Sequence, residues 1–269
     1  MSSDPVDLSL ILPVRDGAQW IEKSLRTVVR CLEAETKAFE VIAVCDGDSD
    51  SGWRAAMRVA SEDPRVRVFH YPQCQGKGFA LSFGVAQSTG RLVGWLDSDL
   101  DVAPEVIIRA YRCFDGAEDI DAAIGSKRHP QSRIDYHPVR RLYSAGYQVL
   151  VRLLFRLNVR DTQVGAKVFR REMMDIVTPL LLAKRYAFDL EVLAVGAQFG
   201  FDRVAEVPVE FRHGFGSSTI DWRSVWVTML DTLAIGYRIH IRHWYARRFA
   251  SLERTRKASQ QVTKLREAA

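Results

Sequence analysis

Apolar residues in this chain fall into short runs separated by amphipathic stretches. Leu8 to Val14, Glu40 to Cys45, Val66 to Tyr71 and Leu92 to Leu96 each predict a buried strand. Between them, apolar side chains recur at helical spacing. Ile21, Leu25, Val28, Val29 and Leu32 follow Trp20; Trp53, Met57 and Val59 form a second set; Leu81, Val85 and Ala86 form a third. This alternation of strand and helix predicts a mostly parallel central sheet with helices on both faces. Further strands are expected from Ala122 to Gly125 and from Val204 to Phe211, and further amphipathic helices from Val139 to Leu157 and from Trp222 to Trp244.

The polar residues between these elements fall after the strands, on one edge of the sheet. They form Asp16-Gly17, Asp46-Gly47-Asp48-Ser49-Asp50, Gln75-Gly76-Lys77-Gly78 and Asp97-Ser98-Asp99-Leu100-Asp101. In an open α/β sheet, ligands bind outside the carboxyl ends of the strands, so converging loops of this kind suit a nucleotide. Three aspartates spaced two apart repel one another unless a cation shares the site. A hard divalent ion chelating a diphosphate is the natural candidate, because Mg²⁺ or Mn²⁺ takes one or two carboxylates and fills its shell with phosphate oxygens and water. The alternative is Asp101 capping a helix that begins near Pro104, with Asp97 and Asp99 in a solvated loop. Asp46 suits either a nucleoside or a helix N-cap. The glycine–lysine loop suits either a phosphate, through backbone N–H groups and one cation, or a plain turn. Its spacing is neither that of a P-loop nor that of a dinucleotide-binding turn.

Composition narrows the class. With 269 residues, 47% of them hydrophobic, the chain fits one large domain or a domain with a tail. A net charge of +5 suits anionic partners such as nucleotides, lipid phosphates or a membrane surface, and is too slight and scattered for nucleic acid. The four cysteines lack metal-type spacing, which favours a reduced cytosolic compartment. The polar, acidic N-terminus is unlike a signal peptide, and no apolar run reaches the about 18 residues of a membrane span.

Taken together, the motifs resemble the family 2 glycosyltransferases of GT-A fold, in the branch that uses polyprenyl (dolichyl) phosphate. The matching stretches are Leu10 to Gly17, Val41 to Asp50, Gln75 to Ala80 and Asp97 to Leu100. A fifth, Asp161-Thr162-Gln163-Val164-Gly165-Ala166-Lys167-Val168-Phe169, is similar to that branch's signature, particularly in its glucosyl members. The resemblance spans roughly residues 8 to 240. It implies a Rossmann-like GT-A domain over 1–245, made of a nucleotide-sugar half (8–120), an acceptor half (121–220) and a membrane-interface helix (221–245). A polar, mobile tail (246–269) is expected beyond it.

The resemblance also implies a donor nucleotide sugar, UDP-glucose or GDP-mannose, with inversion at the anomeric carbon. Pro13, Val14, Asp16, Asp46, Lys77, Asp97, Ser98 and Asp99 should bind the donor, and Asp99 with Asp101 should hold Mg²⁺ or Mn²⁺. Two departures, Arg15-Asp16-Gly17 for Tyr-Asn-Glu and Cys45-Asp46-Gly47-Asp48 for Asp-Asp-Gly-Ser, alter groups that would read the base. Ser126, Arg128, Arg133, Arg140 and Ser144 should hold the acceptor phosphate, whose oxygens match arginine forks. Arg212, His213 and Ser217, in a glycine-containing loop, should close on the diphosphate.

Asp189 stands where relatives that glycosylate hydroxyls place a base. A phosphate monoester is already anionic near neutral pH, so it needs positioning more than deprotonation. With arginines spread along Val139 to Leu157, and aromatics along Trp222 to Trp244, both helices suit a membrane interface, although a core-facing role fits the same pattern. Peripheral attachment at the cytoplasmic face follows, with homo-oligomerisation open. Two other functions are compatible with the sequence: a soluble transferase using Asp189 as base on a hydroxyl acceptor, and a nucleotide-sugar-binding module without catalysis.

Overall fold

A computed structural model describes residues 5–36, 38–47, 51–117, 119–132, 138–184, 187–211 and 222–267, with only the backbone of 138–145, 222–225 and 258–267. Seven strands form one sheet in the order β3-β2-β1-β4-β6-β5-β7. They are β1 (Leu8–Val14), β2 (Phe39–Asp46), β3 (Val66–Tyr71), β4 (Leu92–Leu96), β5 (Ala122–Ser126), β6 (Ala166–Arg170) and β7 (Val204–Pro208). β1 pairs in parallel with β2 and β4, β2 with β3, and β5 with β7, while β6 runs antiparallel between β4 and β5. The expected mixed α/β architecture is therefore present. The antiparallel strand lies inside the fifth sequence motif, where a run of Ala-Lys-Val-Phe-Arg hid a strand behind a charged residue.

Both sheet faces are covered, which is why β1, β2 and β4 read as continuous apolar runs. Leu8, Leu10 and Leu12 turn to one face, against α1 (Ile21–Glu33), α2 (Gly52–Glu62) and α4 (Glu105–Arg112). Ile11, Val93 and Trp95 turn to the other, against α3 (Lys77–Gln87), α6 (Arg171–Val177) and α7 (Phe188–Gln198). The stripe predicted for α1 is the buried one: Ile21, Leu25, Val28, Val29 and Leu32.

The alternative in which Asp101 caps α4 is not realised: that helix begins at Glu105 with Pro104 at its N-cap and no side-chain cap. Three expectations change. The last strand stops at Pro208, and Phe211 makes only an isolated bridge to Val102. The helix expected from Trp222 to Trp244 is two: α8 (Trp222–His240) and α9 (Trp244–Glu267), separated by a turn in which His243 adopts φ 46°. The stretch 246–269, expected as a mobile tail, is helical as part of α9 as far as Glu267. Tyr245 anchors that helix from a fully buried position, and Phe249 packs on Phe199 at 5.0 Å. The remaining helix, α5 (Pro138–Phe155), lies beside α8, and His240 Nε2 is 2.6 Å from the Leu154 carbonyl oxygen.

Close backbone approach fixes the acidic loop after β4. The Asp97 N–H donates to the Gly165 carbonyl at 3.1 Å, continuing the β4–β6 ladder past its last pair. Gly165 has no room for a side chain, because a Cβ there would sit inside the Asp97 carboxylate. Gly165→Ala is therefore expected to cost about 1–3 kcal/mol by overpacking. Gly146, in helix α5 with nothing within 4 Å of a built Cβ, should gain up to about 1 kcal/mol on mutation to Ala. Urea unfolding of both variants tests the contrast.

Candidate active site

The loops at the carboxyl ends of β1, β2 and β4 enclose a cleft of about 700 Å³. Pro13, Val14 and Arg15 come from the end of β1, Trp20 from the approach to α1, and Asp46 from the end of β2. Cys74 to Lys77 lead into α3, and Asp97, Ser98 and Asp99 follow β4. Seven of the eight expected donor residues thus meet at one site. Asp16 is the exception: it adopts φ 51°, pairs with Arg15 at 3.5 Å, and is not among the cleft-lining residues.

Asp46 is spent on architecture. Its carboxylate accepts the N–H groups of Gln75 at 2.6 Å and Gly76 at 2.8 Å, and the Cys74 thiol at 3.3 Å. It caps no helix, since α2 starts after Ser51. Of the two readings of the glycine–lysine loop, the cradle of backbone N–H groups is removed by the same bonds. The N–H groups of Gln75 and Gly76 are given to Asp46, and that of Gly78 to the Lys184 carbonyl at 3.0 Å. The glycines serve contact instead. A Cβ at Gly76 would strike the Lys184 carbonyl, and one at Gly78 the Ala183 carbonyl and Phe188. Gly76 also adopts φ 100°, in the region that only glycine enters freely.

Lys77 occupies the first position of α3, where the helix dipole disfavours a cation and no acid lies in the first turn. Carboxylates from elsewhere compensate. Its Nζ is 2.5 Å from Asp97 Oδ1 and 4.0 Å from Asp189 Oδ2. Burial opposes the charge, but Asp97, Asp189 and Asp99 outweigh it and hold the ammonium well above its ordinary range. Asp189 is itself nearly buried in the first turn of α7. It accepts the Trp95 indole N–H at 3.1 Å and the Lys167 ammonium at 2.6 Å. Lys167 is fully buried and also donates to the Val164 carbonyl.

Asp99 is the exposed acid of the cleft. Partial loss of water around its carboxyl within the cleft, then repulsion from Asp97 and Asp101, push its pKa above the usual aspartate range, although the Asp101 N–H at 3.2 Å and Lys77 pull the other way. Leu100, between the two acids, adopts φ 55°, a strained setting for a leucine. Among the described residues no group of three or more His, Cys, Asp or Glu could cage an ion. The acids nonetheless fit a hard divalent cation: they are oxygen donors under mutual repulsion, and such an ion needs only one or two carboxylates when a diphosphate supplies the rest.

The acceptor residues are less gathered. Ser126 is fully buried, with no hydrogen-bond partner for its hydroxyl among the described residues, so an incoming phosphate cannot reach it. Arg128 is half-buried in the loop after β5. Arg133, Arg212, His213 and Ser217 lie outside the described residues, as do the side chains of Arg140 and Ser144 on α5. The loop carrying Arg128 is held by the first residue of the fifth motif, Asp161, to which no role was given in the sequence; it accepts the Lys127 N–H at 3.0 Å and the Gln163 N–H at 2.9 Å.

Other residues were missed as well. Trp20 lines the cleft although it stands out of phase with the buried stripe of α1, a signal available in the pattern. Lys167 in an apolar strand required a buried anion, a signal available in the sequence, although it did not say which acid would answer.

Comparison with known proteins bears on this geometry. Residues 9–177 match the family described as Glycosyl transferase family 2. Glycosyltransferase AglD of Haloferax volcanii is 32% identical over 245 residues, covering 89% of this chain but 37% of that protein. The chain therefore spans little more than a third of AglD's length. Dolichyl-phosphate beta-glucosyltransferase of Homo sapiens is 29% identical over 268 residues, covering 93% of this chain and 79% of that protein. Glucosyl-3-phosphoglycerate synthase from Mycobacterium tuberculosis, solved with Mn²⁺, UDP-glucose and phosphoglyceric acid, superposes with a TM-score of 0.62 at 20% identity, over 84% of this chain and 79% of that one. That likeness concerns the fold, a mixed sheet of the same GT-A kind. With the profile match covering more than half its length, the chain belongs to the family 2 glycosyltransferases.

Proposed function

We propose that this chain transfers glucose from UDP-glucose to a polyprenyl phosphate at a membrane surface, with inversion. The observation that carries this reading is the state of Asp189. Its carboxylate is buried, is not among the cleft-lining residues, and is engaged by Lys167 and the Trp95 indole, so it does not present a base to an acceptor hydroxyl. An acceptor that arrives ionised needs no base, and a lipid phosphate is one. Names of relatives support the same acceptor, since the human protein is called a dolichyl-phosphate beta-glucosyltransferase.

In this reading Pro13, Val14 and Trp20 flank the nucleoside, and Asp46 keeps the Gln75–Lys77 loop in place beside it. Lys77 faces the diphosphate with its charge already secured by Asp97 and Asp189. Asp99 and Asp101 would hold Mg²⁺ or Mn²⁺, which when bound neutralises the diphosphate and eases departure of UDP. Arg128, with the arginines of the following loop, orients the acceptor phosphate. One of its oxygens forms a bond to the anomeric carbon as the bond from that carbon to the UDP oxygen breaks, and the electron pair leaves with UDP. A β-linked lipid-phosphate sugar results, and no proton has to move.

Attachment to the membrane is proposed through α5 and α8. Val149 and Leu153 on α5, and Trp226, Leu230, Leu233 and Tyr237 on α8, are exposed, with Ile241 beyond. On α8 these recur at one-turn and two-turn spacing, a single outward stripe. Arg152 on α5, Arg156 just after it, Arg242 in the turn after α8 and Arg247 on α9 are exposed, as anionic headgroups require. Among the described residues no helix is long and apolar enough to cross a membrane.

A donor-by-acceptor panel tests the reaction. UDP release should require UDP-glucose, a divalent ion and a polyprenyl phosphate together, with GDP-mannose the weaker donor; release that needs a sugar hydroxyl instead would sink the assignment. Asp99→Asn should lower kcat/KM by at least about a hundredfold, as loss of one charge-stabilising group does. Because folding raises the Asp99 pKa, its charge at neutral pH costs stability. The variant should thus melt at or above the wild-type temperature at pH 7, and the difference should close as acid protonates the wild-type carboxyl. Replacing Leu153 and Trp226 together with Asp should abolish co-sedimentation with phosphatidylglycerol vesicles without lowering the melting temperature.

A further inference from the structure

We propose that Glu191 is a positioning residue for the donor site, through which the setting of Lys77 depends on helices α8 and α9. This rests on the cleft being the nucleotide-sugar site. Glu191 is fully buried and does not line the cleft. One carboxylate oxygen accepts the N–H groups of Leu182 at 2.9 Å and Ala183 at 2.7 Å. The other accepts the phenol of Tyr245 on α9 at 2.5 Å and lies 3.8 Å from Arg238 on α8. All four neighbours present hydrogens, so the site demands an acceptor-only group.

The Leu182–Lys184 segment held in this way is the surface on which the donor loop rests. The Lys184 carbonyl accepts the Gly78 N–H at 3.0 Å, and the carbonyls of Ala183 and Lys184 abut Gly78 and Gly76 so tightly that no Cβ fits. Between those glycines stands Lys77, 2.5 Å from Asp97. A shift of the segment therefore passes directly to the lysine. The route is short and made of backbone contacts: Tyr245 and Arg238, Glu191, the Leu182–Lys184 backbone, the glycines, Lys77. Because Arg238 follows Tyr237 of the outward apolar stripe, the helix proposed to meet the lipid surface is also the one that touches Glu191.

The test uses the full chain with Glu191→Gln and Tyr245→Phe. The first puts an amide N–H₂ against donors; the second removes one oxygen from a packed ring and leaves its volume nearly unchanged. UDP affinity with Mn²⁺ is measured by calorimetry, and amide exchange is followed in residues 75–78 and 182–183 against β1 and β2. Expected are a weakening of UDP binding by about tenfold in Glu191→Gln, the scale of one charge-assisted hydrogen bond, and a smaller loss in Tyr245→Phe. Exchange should quicken in the two loops and stay at wild-type rates in the strands; quickening everywhere alike would mark a merely structural residue and overturn the proposal. Wild-type loop exchange in either folded variant would overturn it too. Should the wild-type chain fail to bind UDP, the donor assignment falls, while the exchange rates still decide the coupling.

Discussion

A line of alternating charges, Asp97–Lys77–Asp189–Lys167, runs from the floor of the cleft into the core. Each member would be costly in its place alone. Lys77 stands at the positive end of a helix, and Lys167 is shut away from water inside a strand. Together they satisfy one another, and Trp95 supplies a further N–H to Asp189. Removing either member of its buried end, Lys167 or Asp189, leaves an uncompensated buried charge, a loss of about 3–5 kcal/mol. The line therefore fixes the relative positions of β4, β6, α3 and α7, and these are the elements that bring the cleft's cation and acids together.

Contacts without side chains complete the arrangement. Gly165 lets the fifth motif press against the Asp97 carboxylate, and Gly76 and Gly78 let the loop before α3 lie on the carbonyls of Ala183 and Lys184. Segments distant in sequence are thus joined at backbone distance, where a methyl group could not fit. Asp46 works in the same sense. It gathers the N–H groups of the glycine loop, so the loop's geometry is set before any ligand arrives. Preorganisation of this kind lowers the ordering cost of binding.

The donor half and the C-terminal helices are less separate than their order along the chain suggests. The donor cleft is built mainly from residues before Leu100, yet the carbonyls under its glycine loop come from the segment before α7, and that segment hangs from a carboxylate shared with α8 and α9. In the proposed reaction, which joins a water-soluble donor to a lipid-borne acceptor, such a linkage ties α8 and α9 to the cleft as one mechanical unit.

Much of this was legible in the residues themselves. Strict alternation of apolar runs and amphipathic stretches determined β1 to β4 and their helices, because burial on both faces of a parallel sheet leaves that pattern locally. The acids after β4 and the loops after β1 and β2 marked the cleft for the same reason, since strand ends are a local property. What only the tertiary structure decided was which polar group meets which. Asp46 had two local readings, and neither foretold its hydrogen bonds, because the N–H groups it accepts come from residues about thirty positions away. Lys167 found Asp189, and Glu191 found Tyr245, across separations that periodicity does not encode. Sequence patterning reports how each element divides water from core; the pairing of buried charges depends on how the elements are stacked, and stacking is decided by the whole chain.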